Sequence, residues 1–213
     1  HNPMIVGHLV AIAVRGIAIQ SANEALQTGP ISMEVRKALD SELAIQERME
    51  GFAWAIKSER AYTLECFRDN FPARNFWLIS RGMWNMQESA CLEVYPTLIE
   101  LAGSPGLYRD VEQSVESKKS ALASLLFPAV KAAYVAVTRT RAEIRALRVL
   151  NALQTHVPTG RDETPKLSEL RLPVETTTDP FTGEPLHVKK TAQGWLVYSV
   201  GPNFQDDGGK LND

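Results

Sequence analysis

Cysteine and histidine are scarce in this sequence, which has two cysteines and four histidines among 213 residues. That supply excludes a disulfide-dense scaffold and a cysteine-rich zinc module. An excess of charge is lacking too, because 23 Lys and Arg stand against 25 Asp and Glu, giving a formal net charge of −2. So weak a field does not gather nucleic acid or anionic lipid, and no nucleic-acid partner is expected. Aromatic residues are 8% and hydrophobic residues 44% of the chain, which excludes collagen-like and disordered classes. What remains is an ordinary globular chain of one or two domains, long enough to bury a core.

A long hydrophobic run is also missing by this reading. The most apolar stretch, from Pro3 to Ile19, is interrupted by His8 and Arg15. Those two lie seven residues apart, on one helical face, and Asn23 and Gln27 continue the polar stripe. The spacing predicts an amphipathic helix with a wide core face, capped by Asn2 and Pro3 and ended by Gly29-Pro30, and not a membrane span. The chain opens on His1-Asn2-Pro3 without an initiator Met, so a removed N-terminal segment is expected.

Glycine and proline are unevenly placed, and this divides the chain. Residues 1–155 hold 13 of them and the last 58 residues hold 12. Apolar residues three and four apart dominate the first part. They predict a bundle of four to six helices over 1–155, with a break near Gly51 and a kink or start at Pro128. Residues 156–213 form a turn-rich subdomain. Lys166–Leu170 predicts one helical turn, and the alternating residues on either side of Gln193-Gly194 predict a β-hairpin. The fold class is therefore mainly α, with a small C-terminal α+β part.

Tests for catalytic templates fail in the helical part. No Glu-x-x-His pair is available there for a di-iron site, and His1, His8, His156 and His187 are too scattered for a paired-histidine metal site. The chain has no nucleophile elbow, phosphate-binding loop or dinucleotide fingerprint. Glu47 with Glu50, and Glu112 with Glu116, could pair on one helix face but read as solvated surface. Glu59-Arg60 reads as a half-buried structural ion pair. Arg139, Arg141, Arg145 and Arg148 read as a solvated face, with a grip on a phosphate or an acidic partner as the alternative, and Cys66 and Cys91 as two buried thiols, with a bridge between them left open. Trp54, Trp77, Trp84, Met83 and Met86 read as core, with a ligand cleft as the alternative. No enzyme is identified, though an enzyme without a recognisable motif stays open.

One segment hints at a ligand. After Tyr198 the chain runs Ser199-Val200-Gly201-Pro202-Asn203-Phe204-Gln205-Asp206-Asp207-Gly208-Gly209-Lys210-Leu211-Asn212-Asp213. Carboxylates, amides and freely bent glycine carbonyls are what a hard cation such as Ca²⁺ coordinates. A frayed acidic tail has the same composition.

The order Asp179-Pro180-Phe181, Gly183, Pro185-Leu186, Tyr198-Ser199-Val200-Gly201 and Asp206-Asp207-Gly208-Gly209 resembles the C-terminal signature of type II secretion G-type major pseudopilins. The resemblance implies a short hairpin leading into a calcium-binding loop. Carried onto this chain, the metal candidates are Ser199, Asn203, Asp206, Asp207 and Asp213, with Asn212 where the family tends to have another acid. The prepilin cleavage site and uninterrupted N-terminal helix of that family are absent. The whole arrangement, with its Glu59-Arg60 pair, resembles a group of uncharacterised planctomycete-type extracytoplasmic proteins that carry an N-terminal membrane segment. These resemblances imply a non-catalytic extracytoplasmic, periplasmic assembly or binding protein. They also imply a protein partner, a structural Ca²⁺, and a membrane reached only through a removed anchor. The alternative is a helical module that binds ligand in a Trp/Met-lined cleft.

Overall fold

The computed structural model describes residues 4–28, 31–48, 51–69, 85, 86, 88, 89, 92, 93, 95, 96, 98–100, 121–155, 165–192 and 194–210. Four long helices carry most of them: α1 (Ile5–Thr28), α2 (Met33–Glu47), α3 (Gly51–Asp69) and α4 (Ala121–Leu153). Ser32 starts α2 because its hydroxyl accepts the Val35 N–H at 3.3 Å, filling one of the orphan donors of a first turn. The expected break at Gly51 falls between α2 and α3. Helix α4 is continuous through Pro128, so that proline neither starts nor ends it. Residues 85, 86, 88, 89, 92, 93, 95, 96 and 98–100 are helical too, within the stretch expected to form the bundle.

The C-terminal part follows the expected order. A 3-10 turn at Leu167–Leu170 and a single α turn at Val174–Thr177 lead to β1 (His187–Thr191) and β2 (Gly194–Tyr198). The strands pair antiparallel, His187 opposite Tyr198 and Thr191 opposite Gly194. Their alternation puts Val188 and Val197 on the face that packs with Leu167, Leu170, Leu172 and Trp195 against Val149, Leu153 and Leu186. The chain is therefore mainly helical with a small two-stranded antiparallel sheet at its C-terminal end.

The chain divides into two compact units whose limits cut through α1 and α4: His1–Ala11 with Glu50–Ala136, and Ile12–Met49 with Val137–Asp213. In the first, Phe52 and Ile56 of α3 are buried with Ala133 and Tyr134 of α4. The Phe52 ring lies 5.4 Å from His8 and 6.0 Å from Tyr134. Glu59 accepts the Ile5 N–H at 3.0 Å, so its carboxylate sits at the N-terminus of α1, where the helix dipole favours it. Its neighbour Arg60 is exposed, so the expected Glu59-Arg60 pair gives way to a helix-end contact.

Helix α1 overturns two expectations. It is unbroken for 24 residues, which corresponds to about 36 Å of helix. By length and composition it is apolar enough to cross a membrane. Its inward face is also narrower and more polar than expected: Ile5, Ile12 and Leu26 are buried there, but His8 packs there on Phe52, and Arg15 Nε donates to Gln46 Oε1 at 2.9 Å. Val6, Val10, Val14 and Ile17, at spacings of four, four and three, are 60–69% exposed, with Ala13 and Ala18 beside them. His8 and Arg15 interrupt the sequence without interrupting that outward stripe.

Candidate functional site

The candidate site is the C-terminal module, organised by one carboxylate. Pro180 fixes its own φ and turns the chain after Asp179, so the Asp179 carboxylate can reach forward to the Phe181 N–H, 2.8 Å from Oδ1. The backbone closes the same turn through Gly183 N–H to the Asp179 carbonyl at 2.9 Å and Asp179 N–H to the Glu184 carbonyl at 2.7 Å. Gly183, at φ 78°, takes the left-handed conformation that this closure needs. From the far side, Ser199 Oγ donates to Asp179 Oδ1 at 2.9 Å and Val200 N–H to Oδ2 at 3.0 Å. Asp179 is only 1% exposed. A buried carboxylate is costly unless its oxygens are satisfied, and three donors do that here. The Asp179-Pro180-Phe181 and Ser199-Val200-Gly201 segments, twenty residues apart in sequence, are thus one clasp.

Beyond the clasp, the loop is shaped by short-range polar contacts. Ser199 Oγ accepts the Gly201 N–H at 3.1 Å. Asn203 Oδ1 accepts the Gln205 N–H at 3.2 Å, while its Nδ2 donates to Asp207 Oδ2 at 3.0 Å. Asp206 turns toward the hairpin instead, where Oδ1 accepts Tyr198 OH at 2.9 Å and Gly208 N–H at 2.8 Å. His187 Nδ1 lies 3.8 Å from its Oδ2, and the His187 and Tyr198 rings stack at 5.1 Å. The Gly208 N–H and then the Tyr198 hydroxyl hold the Asp206 carboxyl below its ordinary pKa, helped by the His187 and Lys189 charges. The Lys189 ammonium, 5.0 Å from the Tyr198 ring centre, is raised first by its hydrogen bond to Tyr198. Gly209 closes the loop onto the hairpin. At φ 77°, a Cβ there would stand 2.9 Å from both Leu196 Cδ2 and Tyr198 Cδ1, so no other residue fits without displacing them.

Of the five metal candidates, Asn203 and Asp207 are brought together, Ser199 is engaged by Asp179, and Asp206 faces Tyr198. Asp213 lies outside the described residues. No group of three or more His, Cys, Asp or Glu placed to hold a metal occurs among the described residues.

A second polar centre went unread in the sequence. Arg145 and Arg148 are each 6% exposed, and not part of a solvated face. Arg145 donates to Glu47 Oε1 at 2.8 Å and to the Thr178 carbonyl at 2.8 Å. Arg148 donates to Asp40 Oδ1 at 2.8 Å, Glu47 Oε2 at 2.7 Å and Thr176 Oγ1 at 2.8 Å. Its guanidinium is desolvated, yet the bonds to Asp40 and Glu47 carry its pKa above the ordinary value. Two arginines and two carboxylates balance in charge, and the network fastens α2 and the Val174–Thr177 turn to α4. The signal was a pair of spacings: Arg145 and Arg148 are three apart on α4, and Asp40 and Glu47 seven apart on α2, so each pair shares a face.

The other singled-out residues are placed as follows. Trp54 is 68% exposed with the Lys57 ammonium 5.3 Å over its ring, and Met86 is exposed, so neither is core. Cys66 is a free thiol, half-buried and not fully buried as expected. Its hydrogen bond to Tyr62 is the first cause of that phenol's raised pKa. Trp77, Met83, Trp84, Cys91, Glu50, Glu112, Glu116, His1 and His156 lie outside the described residues. Comparison with protein-family models, with curated proteins and with solved structures finds no match.

Proposed function

We propose that this protein is a non-catalytic, extracytoplasmic assembly or binding component with a pseudopilin-like C-terminal module, held at a membrane through α1. The observation that carries the reading is the Asp179 clasp. Asp179, Phe181, Ser199 and Val200, four of the residues on which the pseudopilin resemblance rests, are joined there by hydrogen bonds that hold a turn, a hairpin and a loop together, which supports the reading. That is the arrangement of a presented surface, with a rigid loop for a protein partner to read. Helix α1 supports the attachment, because an apolar stripe turned outward is covered favourably by hydrocarbon, at about 25 cal/mol per Å² buried. The helix itself then supplies the attachment that the sequence reading gave to a removed segment.

A structural Ca²⁺ belongs to this proposal. Asp207 and Asp206 would offer carboxylate oxygens, Asn203 its amide oxygen, Ser199 its hydroxyl or its carbonyl, and Asp213 a further carboxylate. Ca²⁺ would neutralise adjacent acids and lock the loop in place.

Two measurements test the two halves. In vesicle flotation with phosphatidylcholine liposomes, the chain is expected to rise with the lipid, and recovery of all protein at the bottom contradicts the attachment. In thermal unfolding, Ca²⁺ is expected to raise Tm relative to chelator, since a ligand of the native state alone must stabilise it. Identical Tm values in the two conditions contradict the calcium site.

A further inference from the structure

The exposed apolar side chains of α1 stop well before the helix does. Val6, Val10, Ala13, Val14, Ile17 and Ala18 form the outward stripe, and beyond it only Ala25 interrupts an exposed polar row that begins with Gln20, Ser21 and Glu24. Gln20 Nε2 donates to Glu24 Oε1 at 3.1 Å, a pair suited to water. From Val6 to Ala18 the helix rises about 18 Å, whereas the hydrocarbon core of a bilayer is about 30 Å thick. The other side of α1 is no better suited to crossing. Arg15 donates to Gln46 of α2, His8 packs on Phe52 of α3, and Glu59 accepts the Ile5 N–H. A helix that crossed would carry these polar groups into hydrocarbon with it.

We propose that α1 lies in the plane of one bilayer surface, its stripe sunk at the boundary of headgroups and acyl chains, and does not cross; this rests on the membrane attachment proposed above. An interfacial helix needs only a one-sided apolar face, and it enters the boundary by about 5–10 Å. The stripe has that shape. Its area favours lipid over a second copy of the chain, because a face about 18 Å long and about 10 Å wide offers about 180 Å², and a stable protein interface takes about 800 Å² from each partner. No charged side chain belongs to the stripe, so contact with hydrocarbon holds it and a zwitterionic surface suffices. The polar end from Gln20 to Thr28 then stays at the headgroups and water.

The test measures depth. In the full chain with Cys66 and Cys91 replaced by Ser, Val6→Cys, Val10→Cys, Val14→Cys and Ile17→Cys are labelled one at a time with a fluorophore and added to phosphatidylcholine vesicles. Lipids with a nitroxide near the headgroup or near the end of the acyl chain quench each label, and the ratio of the two gives its depth. All four labels are expected at one shallow depth, within about 5 Å of one another. A difference approaching about 16 Å between positions 6 and 17, the rise of a spanning helix, overturns the in-plane placement and leaves the attachment standing. No quenching at any position, with all of the chain recovered free of lipid, overturns both. The unlabelled parent gives a check that needs no substitution. Its bound fraction should fall when the vesicles are diluted about tenfold, because one shallow stripe holds reversibly. Binding that dilution does not reverse belongs to a spanning helix and contradicts the placement.

Discussion

Helix α1 and the second half of α4 relate composition to burial in opposite ways. The most apolar helix turns Val6, Val10, Val14 and Ile17 to the outside, while the arginine-rich stretch of α4 buries Arg145, Arg148 and Asn151 beside Ile144, Leu147 and Val149. Where the partner lies makes the difference. The arginines of α4 find Asp40 and Glu47 within their own unit, so burying them completes a network. The outward stripe of α1 finds no such cover among the described residues, and under the proposed attachment lipid would supply it. Hydrophobicity alone therefore does not say which face points inward.

Substitutions can break that comparison, and the largest effect is expected inside it. Arg148→Ala leaves Asp40 without a cation and Glu47 with Arg145 alone, and should cost about 3–5 kcal/mol in chemical denaturation. A loss under about 1 kcal/mol would return Arg148 to the solvated surface first read from the sequence. Asp179→Ala comes next. It strands the Phe181 and Val200 N–H groups and the Ser199 hydroxyl, for an expected loss of about 2–4 kcal/mol. Gly209→Ala should cost about 1–3 kcal/mol from a positive φ and a Cβ driven into Tyr198. In contrast, Val10→Ser with Val14→Ser on α1 should stay within about 0.5 kcal/mol in lipid-free solution, as exposed positions do.

A pH experiment sharpens the C-terminal side. Because the folded Asp206 carboxyl titrates below its unfolded value of about 3.9, its bonds to Tyr198 and Gly208 stabilise the protein above that pH. The contribution is lost as the pH falls through the lower, folded pKa. Tm differences between the parent and Asp206→Asn should therefore be widest near neutrality and close in strong acid. A difference that does not change with pH would mean that the Asp206 charge contributes nothing.

What the sequence made legible followed from local signals. Alternation around Gln193-Gly194 marked the hairpin, and Gly51 the break before α3. The network around Arg148 was not legible, because Asp40 and Glu47 lie about a hundred residues away and helical period alone does not say which faces meet. In α1 the period was read correctly and Ile5, Ile12 and Leu26 are buried, but the width of the core face was not legible, since His8 and Arg15 look the same in sequence whether they meet water or Phe52 and Gln46. The Asp179 clasp was visible only as a pattern of turn formers. Three donors reaching it from two segments are a tertiary fact.

The central claim, that α1 presents its apolar stripe to a membrane, is tested most directly by labelling. Cys66 and Cys91 are replaced by Ser, single cysteines are placed in turn along α1, and each carries an environment-sensitive fluorophore on phosphatidylcholine vesicles. Emission should shift to the blue on adding vesicles at positions 6, 10, 14 and 17, and stay unchanged at positions 8, 12 and 15, which face protein. A uniform response around the helix, or none at positions 6, 10, 14 and 17, would contradict it.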